Sequence, residues 1–168
     1  MPAAITEDLR RGISKELPKR IIPSLDGRVP TASSTAAFYA LMTLHNERLG
    51  IHQPIVFQNV ITNDGNGYDK NTGVFKAAVA GTYSFTTTIM SHWTQDISVE
   101  LIKDGHNVGS IYCGNTATYG VGSQSVIIHM AVGDDFWVRV ADNSHNTGNN
   151  KIYGGGFSSI SGFLINSL

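Results

Sequence analysis

From residue 35 onward the chain is a series of short apolar runs, each closed by turn-forming residues, and this spacing constrains the fold more than any other feature. Residues 82–90 alternate most clearly, and one face of that run carries Tyr83, Phe85, Thr87 and Ile89. A period of two is typical of a strand with one buried face. Roughly ten such runs at this interval predict an all-β sandwich or jelly roll.

Turn signals delimit these runs. Residues 63–67 read Asn-Asp-Gly-Asn-Gly, a composition that favours tight turns. Lys103-Asp104-Gly105 predicts a hairpin, in which residues 108–113 pair back onto the preceding strand. The predicted strands are 38–44, 55–61, 74–77, 82–90, 97–101, 108–113, 126–132, 136–140 and 157–165.

Residues 1–34 have a different character from the rest of the chain. Ile5, Leu9, Ile13 and Leu17 are spaced by four, which predicts a short helix that Pro18 ends. A polar segment rich in proline, glycine and serine follows and predicts a linker. We therefore expect an N-terminal extension over 1–34 and a globular domain over 35–168.

Composition excludes several classes of function. The 168 residues include 12 Lys and Arg against 13 Asp and Glu, for a net charge of −1, so no basic field attracts nucleic acid or anionic lipid. No run of about 18 apolar residues predicts a membrane span. No nucleophile elbow, zinc-protease motif or phosphate loop is present, so we expect no enzyme. The single cysteine, Cys113, lies in an apolar stretch and predicts a buried thiol.

Two predicted strands are apolar on both faces. In 126–132, Ile127 points away from Val126 and Ile128, and in 136–140, Trp137 opposes Phe136. A strand of a monomeric sandwich shows water one face. Either a second copy of the chain or a loop must cover these outer faces.

A set of aromatic and small residues at fixed offsets carries a resemblance to a known family. The set is Phe57, Asn63, Tyr68, Phe75, Gly81, Tyr83 and Phe85. This spacing resembles the signature of the complement C1q-domain family, relatives of the tumour necrosis factor fold. Residues 36–40, 132–138 and 157–164 resemble the same family, whereas Thr87 stands where the family usually has an aromatic residue.

The resemblance implies a ten-stranded jelly-roll β-sandwich that assembles as an extracellular homotrimer without enzymatic activity. The chain has no Gly-X-Y repeat and so resembles the stalkless invertebrate members, especially those of molluscs, which act as lectin-like recognition proteins in innate immunity. Glycans or microbial surface molecules are then the expected partners. The alternatives are a trimeric cytokine-like ligand for a protein receptor and a structural assembly unit. The N-terminus lacks an apolar signal core, which leaves a cytosolic chain or a mature secreted form open.

Three loops carry the candidate ligand-binding residues. An aromatic ring beside amide and carboxylate groups suits a sugar, which offers an apolar ring face and hydroxyl groups, and loops on a rigid scaffold are common binding sites. For Trp93, ordinary packing at a strand end is the alternative. The candidates are His92, Trp93, Gln95, Tyr119, Asn143 and His145.

No cofactor or metal is expected. Some family members bind calcium near the trimer apex, but residues 118–123 of this chain contain no carboxylate. Residues 142–148 are rich in oxygen atoms yet lack the closing glutamate of a calcium-binding loop.

Overall fold

The computed structural model describes residues 35–114, 117–146 and 150–168, so the helix and linker predicted within 1–34 lie outside the described residues. The strands are β1 (Ala37–Met42), β2 (Asn46–Leu49), β3 (Asn59–Asp64), β4 (Tyr68–Asp69), β5 (Val74–Lys76), β6 (Gly81–Met90), β7 (Ile97–Lys103), β8 (His106–Cys113), β9 (Val121–Met130), β10 (Asp135–Val140), β11 (Asn150–Ile152) and β12 (Ser158–Ser167).

Ten of these strands form two five-stranded antiparallel sheets, which confirms the all-β jelly-roll prediction. The first sheet has the order β3-β1-β12-β6-β9 and the second has the order β4-β5-β10-β7-β8. The short strands β2 and β11 pair with each other as a separate ribbon. Every strand pair is antiparallel, so neighbouring strands leave their loops at alternate ends of the sandwich.

The core lies between the two sheets and is rich in aromatic rings. Tyr83, Phe85, Thr87 and Ile89 of β6 are all fully buried, as the alternating pattern predicts. Phe85 of the first sheet stacks on Phe136 of the second, with ring centroids 3.9 Å apart. Burying a large apolar side chain contributes about 1.5–3 kcal/mol, so these rings hold the sheets together.

Gly162 in β12 is required by the approach of two of these rings. A β-carbon at this position would collide with the rings of both Phe38 and Phe85, which lie on the neighbouring strands β1 and β6. The absence of a side chain lets the two rings approach to 6.2 Å between centroids.

The predicted strand 55–61 divides between the two sheets. The Ile55 N–H donates to the Val138 carbonyl at 2.8 Å, alongside β10, whereas β3 begins only at Asn59 and belongs to the first sheet. Between them, the Phe57 N–H donates to Tyr68 Oη, and the same hydroxyl donates to the Phe57 carbonyl. This exchange satisfies the buried backbone where the chain crosses the sandwich.

Strand β9 begins earlier than its apolar run suggests. Val121 and Gly122 pair with Met90 and Ile89 of β6, so the polar residues before Val126 belong to the strand. The hairpin between β7 and β8 forms as predicted, with Asp104 and Gly105 at φ values of 46° and 84°. Two consecutive left-handed residues are what a type I′ turn demands.

The two strands with apolar outer faces lie in different sheets. On the first sheet, Ile127 of β9 is 68% exposed, and Phe163 of β12 and Tyr39 of β1 are 52% and 40% exposed. On the second sheet, Trp137 of β10 is half-buried, and its cross-strand partner Ile102 is fully buried. The chain therefore covers much of this region of the second sheet itself and leaves the apolar outer face of the first sheet open.

Cys113 is buried, and its Sγ lies 3.6 Å from the Ile97 carbonyl oxygen. Burial raises the pKa of the Cys113 thiol to about 12. In the described residues no helix has the length and apolar character to cross a membrane.

Candidate ligand-binding site

The candidate residues lie at one end of the sandwich, which we call the apical end. Met42 at the end of β1 pairs with Ser158 at the start of β12, whereas the chain enters the domain at Ala37 and leaves at Ser167, beyond the opposite ends of these strands. Because the strands are antiparallel, a common set of loops meets at the apical end. In the described residues these loops comprise 43–45, 91–96, 117–120, 141–146 and 153–157.

Four aromatic rings from three of these loops form a continuous series of contacts, which we call the aromatic row. Trp93 meets Tyr119 at 5.2 Å between ring centroids, Tyr119 meets Tyr153 at 4.8 Å, and Tyr153 meets Phe157 at 5.8 Å. The two outer members are the open ones, since Trp93 is 49% and Phe157 is 60% exposed. The row thus presents a ring at each end and packs its two tyrosines between them.

Two histidines pack against the tyrosines of the row. The His45 ring lies 4.4 Å from that of Tyr153, and the His92 ring lies 6.1 Å from Tyr153 and 6.3 Å from Tyr119. The Gly154 N–H points at His45 Nδ1 over 3.0 Å. An N–H donor needs a lone pair on that nitrogen, so His45 is neutral in this arrangement and carries its proton on Nε2.

Backbone contacts hold the loops of the row together. Ser91 is fully buried; its N–H donates to the Gly120 carbonyl at 2.8 Å, and its hydroxyl accepts from the Gly120 N–H at 2.9 Å. Further out, the Thr94 N–H donates to the Thr118 carbonyl at 3.2 Å. Loops 91–96 and 117–120 are therefore tied at two levels, which fixes Trp93 relative to Tyr119.

A second group lies beyond Trp93 on the same loop, and we call it the polar cluster. Tyr112 donates its hydroxyl to Asp96 Oδ2 at 2.9 Å, and its ring lies 4.6 Å from the ring of His145. The hydrogen bond to Asp96 raises the pKa of Tyr112. Asp96 is only three residues from Trp93, so an acceptor carboxylate lies near one end of the aromatic row.

The six residues proposed from the sequence divide into three groups. His92, Trp93 and Tyr119 meet in or beside the aromatic row, and His145 belongs to the polar cluster. The Asn143 amide is used inside its own loop, where it donates to Ser98 Oγ at 2.9 Å and accepts from the His145 N–H at 3.1 Å. The Gln95 N–H closes a turn onto the His92 carbonyl at 3.0 Å.

Sequence reasoning missed three members of the site, namely His45, Tyr153 and Phe157. Their loops are far from residue 93 in the chain, and pairing of β1 with β12 brings them close to it. One signal was present, because three consecutive glycines separate Tyr153 from Phe157. A glycine tract with an aromatic residue at each end indicates a turn that presents two rings.

The apical end does not have the donors that a calcium ion requires. In the part of the chain that the structure describes, no group of three or more His, Cys, Asp or Glu side chains is arranged to hold a metal ion. The Asp96 carboxylate accepts from Tyr112, and Asn143 Oδ1 accepts from the His145 backbone. Calcium favours six or more oxygen ligands, several of them charged, so these residues do not fit it.

The fold and these loops can be compared with known proteins. The family model described as the C1q domain matches residues 37–165. The chain belongs to the C1q-domain family. This C1q domain is 34% identical to mouse complement C1q tumor necrosis factor-related protein 3 over 77% of the chain and 50% of that relative. It is 31% identical to a component of the bovine complement C1q subcomponent over 66% of the chain and 45% of that relative.

Solved structures agree on the fold. The globular domain of zebrafish complement 1qA protein superposes with a TM-score of 0.65 at 19% identity, covering 79% of this chain and 99% of that one. The Eiger tumour necrosis factor of S. frugiperda superposes with a TM-score of 0.65 at 12% identity, covering 80% and 94%. At these identities the likeness concerns the fold alone. The C1q-domain chain spans about half the length of the curated relatives it matches.

Proposed function

We propose that this C1q-domain protein is an extracellular homotrimeric recognition module that binds glycans on microbial surfaces through its apical loops, without catalysis. The observation that carries the proposal is the aromatic row with its two open rings, Trp93 and Phe157. The extracellular location rests on the complement proteins among the relatives.

An exposed ring next to fixed polar groups suits a sugar better than most other ligands. A pyranose packs its C–H face on an aromatic ring while its hydroxyl groups bond to neighbouring donors and acceptors. Trp93 supplies the ring, and the exposed Thr94 and Thr118 beside it supply hydroxyl groups. Asp96, on the same loop, supplies an acceptor with its second carboxylate oxygen.

The homotrimer is supported by the outer face of the first sheet. Phe163 pairs with Ser84, which pairs in turn with Ile127, so two exposed apolar side chains flank a serine in one row across three strands. Tyr39 extends this patch on β1. An open apolar face of this kind suits contact with another protomer. Three identical sites would raise the avidity for a repetitive microbial glycan by about 10²–10⁴.

A first experiment tests the glycan site. We expect Trp93→Ala to lower binding on a glycan array or to immobilised microbial polysaccharide by about tenfold or more, since exposed tryptophans at binding sites carry large shares of the affinity. Trp137→Phe, on the second sheet and outside the apical end, is the matched control and should bind normally. Unchanged binding in Trp93→Ala would remove this residue from the site.

The assembly is tested separately by analytical ultracentrifugation. The purified protein should sediment as a trimer in chelator as well as in calcium, and Ile127→Asp should sediment as a monomer because it places three charges on the apolar face. Ser110→Asp, at an exposed position of β8 on the second sheet, should remain a trimer. A wild-type monomer would rule out the avidity mechanism.

A protein receptor is the second candidate target, favoured by the structural likeness to a tumour necrosis factor at the same TM-score as to the complement protein. The two candidates differ in one result. A folded trimer that binds no glycan but binds cells saturably, with the binding destroyed by protease treatment of those cells, would favour a receptor.

A further inference from the structure

Building on the proposed glycan binding, we infer that the ligand is an uncharged linear oligosaccharide longer than a disaccharide. The chain lies along the aromatic row, with one sugar unit on Trp93 and another on Phe157. This assigns Phe157 and Tyr153, on the loop before β12, to the same site as Trp93 on the loop after β6.

The first argument is the separation of the open rings. Trp93 contacts Tyr119, Phe157 contacts Tyr153, and the two tyrosines contact each other, so two rings lie between the open ones. A pyranose is similar in size to one aromatic ring. One sugar unit therefore covers one open ring, and a ligand that uses both must continue across the tyrosines.

The second argument is the rigidity of the platform. Trp93 and Tyr119 are fixed by the hydrogen bonds between their loops, and the Gly154 N–H bond to His45 holds the loop of Tyr153 against the loop after β1. Gly155 and Gly156 donate their N–H groups to the Thr43 and Met42 carbonyls, both at 2.9 Å. A preformed row loses little entropy when a chain is laid along it, so each added contact increases affinity.

The third argument is charge. The two ionisable groups that pack on the row, His45 and His92, are histidines, and the described ion pairs are elsewhere. Lys76 and Lys103 pair with aspartates near the opposite end of the sandwich, and Arg139 pairs with Glu100 on the second sheet. The nearest carboxylate, Asp96, repels an anionic sugar. Hydroxyl groups rather than sulfate or carboxylate groups therefore suit this surface.

Calorimetric titration against chains of increasing length tests the inference. The probes are gluco-oligosaccharides and manno-oligosaccharides of one to six units, with a sulfated hexasaccharide as the charged comparison. We expect affinity to rise by about tenfold or more between two and four units and then to level off, because the second ring is then engaged. The sulfated chain should bind more weakly than uncharged chains of the same length.

Two variants locate the effect. Phe157→Ala should lower the affinity for a six-unit chain by about tenfold and change the affinity for the shortest chain that binds by less than about twofold. Leu44→Ala, which removes an exposed apolar side chain of the same end without removing a ring, is the control and should leave both affinities unchanged.

The outcomes separate this inference from the proposed function. Affinity that does not depend on chain length, or tighter binding of the sulfated chain, overturns the extended uncharged ligand and leaves glycan recognition standing. A Phe157→Ala variant that binds long chains normally also overturns it. A trimeric, folded protein that binds none of these chains and no array glycan contradicts the proposed function itself.

Discussion

The Tyr119 ring meets Trp93 at a steep angle, with ring centroids 5.2 Å apart and planes inclined by 75°. An edge-to-face pair of this kind contributes about 0.5–1.5 kcal/mol beyond its burial. The contact restrains Trp93 although half of its surface is exposed. Tyr119 thus orients the residue on which the proposed sugar site depends.

We predict that Tyr119→Ala leaves Trp93 mobile and lowers glycan affinity by about two- to tenfold. Fluorescence anisotropy decay of Trp93 in a Trp137→Phe background measures the mobility, and calorimetry measures the affinity. Tyr119→Phe keeps the ring and should behave like the unmodified protein. Equal mobility in the alanine and phenylalanine variants would show that the hydrogen bonds of the loops position Trp93 alone.

The packing around Gly162 predicts a large effect of one methyl group. Gly162→Ala places a β-carbon against the rings of Phe38 and Phe85 inside a closely packed core, so we expect it to destabilise the domain by about 1–3 kcal/mol. Chemical denaturation measures the change in the free energy of unfolding. Ser161→Ala, at the preceding residue, changes the outer face of the same strand and should cost much less. Equal stability of the two variants would contradict this account of the core.

Thr87 is a polar residue in an apolar position. Its hydroxyl is fully buried, and neither it nor the buried Oε1 of its cross-strand neighbour Gln124 has a hydrogen-bond partner among the described residues. We predict that Thr87→Val stabilises the domain by about 1–2 kcal/mol, because it removes a buried hydroxyl and keeps the shape of the side chain.

Thr86→Val is the matched control for that substitution. Thr86 lies on the outer face and its hydroxyl is 2.7 Å from that of Ser125, so its loss should be neutral or slightly destabilising. Denaturation of both variants against the parent gives the comparison. A destabilised Thr87→Val would mean that the hydroxyl contributes a hydrogen bond to the folded state.

An ion-pair network between the turns at the non-apical end predicts sensitivity to acid. Lys103 Nζ lies 2.8 Å from Asp104 Oδ2 and 2.7 Å from Asp134 Oδ2. The hydrogen bond from Lys103 is the main cause that lowers the pKa of both aspartates. A carboxyl whose pKa is lower in the folded state stabilises that state above its unfolded pKa, and this contribution is lost as the pH falls through the folded pKa.

We therefore expect the melting temperature to fall as the pH drops from about 5 to below the ordinary aspartate range. Lys103→Met should weaken this dependence, since the two aspartates then titrate nearer to their ordinary values. Lys70→Met, in the turn after β4, should retain the parent profile. Thermal unfolding at stepped pH and low salt measures the effect, because salt screens exposed ion pairs. Identical profiles for both variants would contradict a role for Lys103.

The sequence predicted the core more completely than the site. The alternation of β6 identified four buried side chains because an antiparallel strand with one dry face imposes a period of two. The Asp104-Gly105 turn was also predictable, since few residues tolerate two consecutive left-handed conformations. These are local requirements, and the chain records them over a few adjacent residues.

The proposed site is an arrangement that no local pattern records. Trp93 and Tyr119 were candidates by their loop positions, but their contact depends on the pairing of β6 with β9. Phe157 and His45 join them because β12 lies between β1 and β6. The strand division after Ile55 escaped the sequence for the same reason, since both halves are apolar and only the sheet each one pairs with distinguishes them.

By itself, then, the amino-acid sequence determined the all-β class, the C1q-domain family, the inward faces of the strands and the hairpin turn, all of which depend on spacing along the chain. Tertiary structure alone decided which loops share the apical end, which aromatic rings touch, and which apolar face remains open. The physical reason is that antiparallel pairing brings together residues more than 100 positions apart, such as His45 and Tyr153, through hydrogen bonds between strands whose partners the local sequence does not specify.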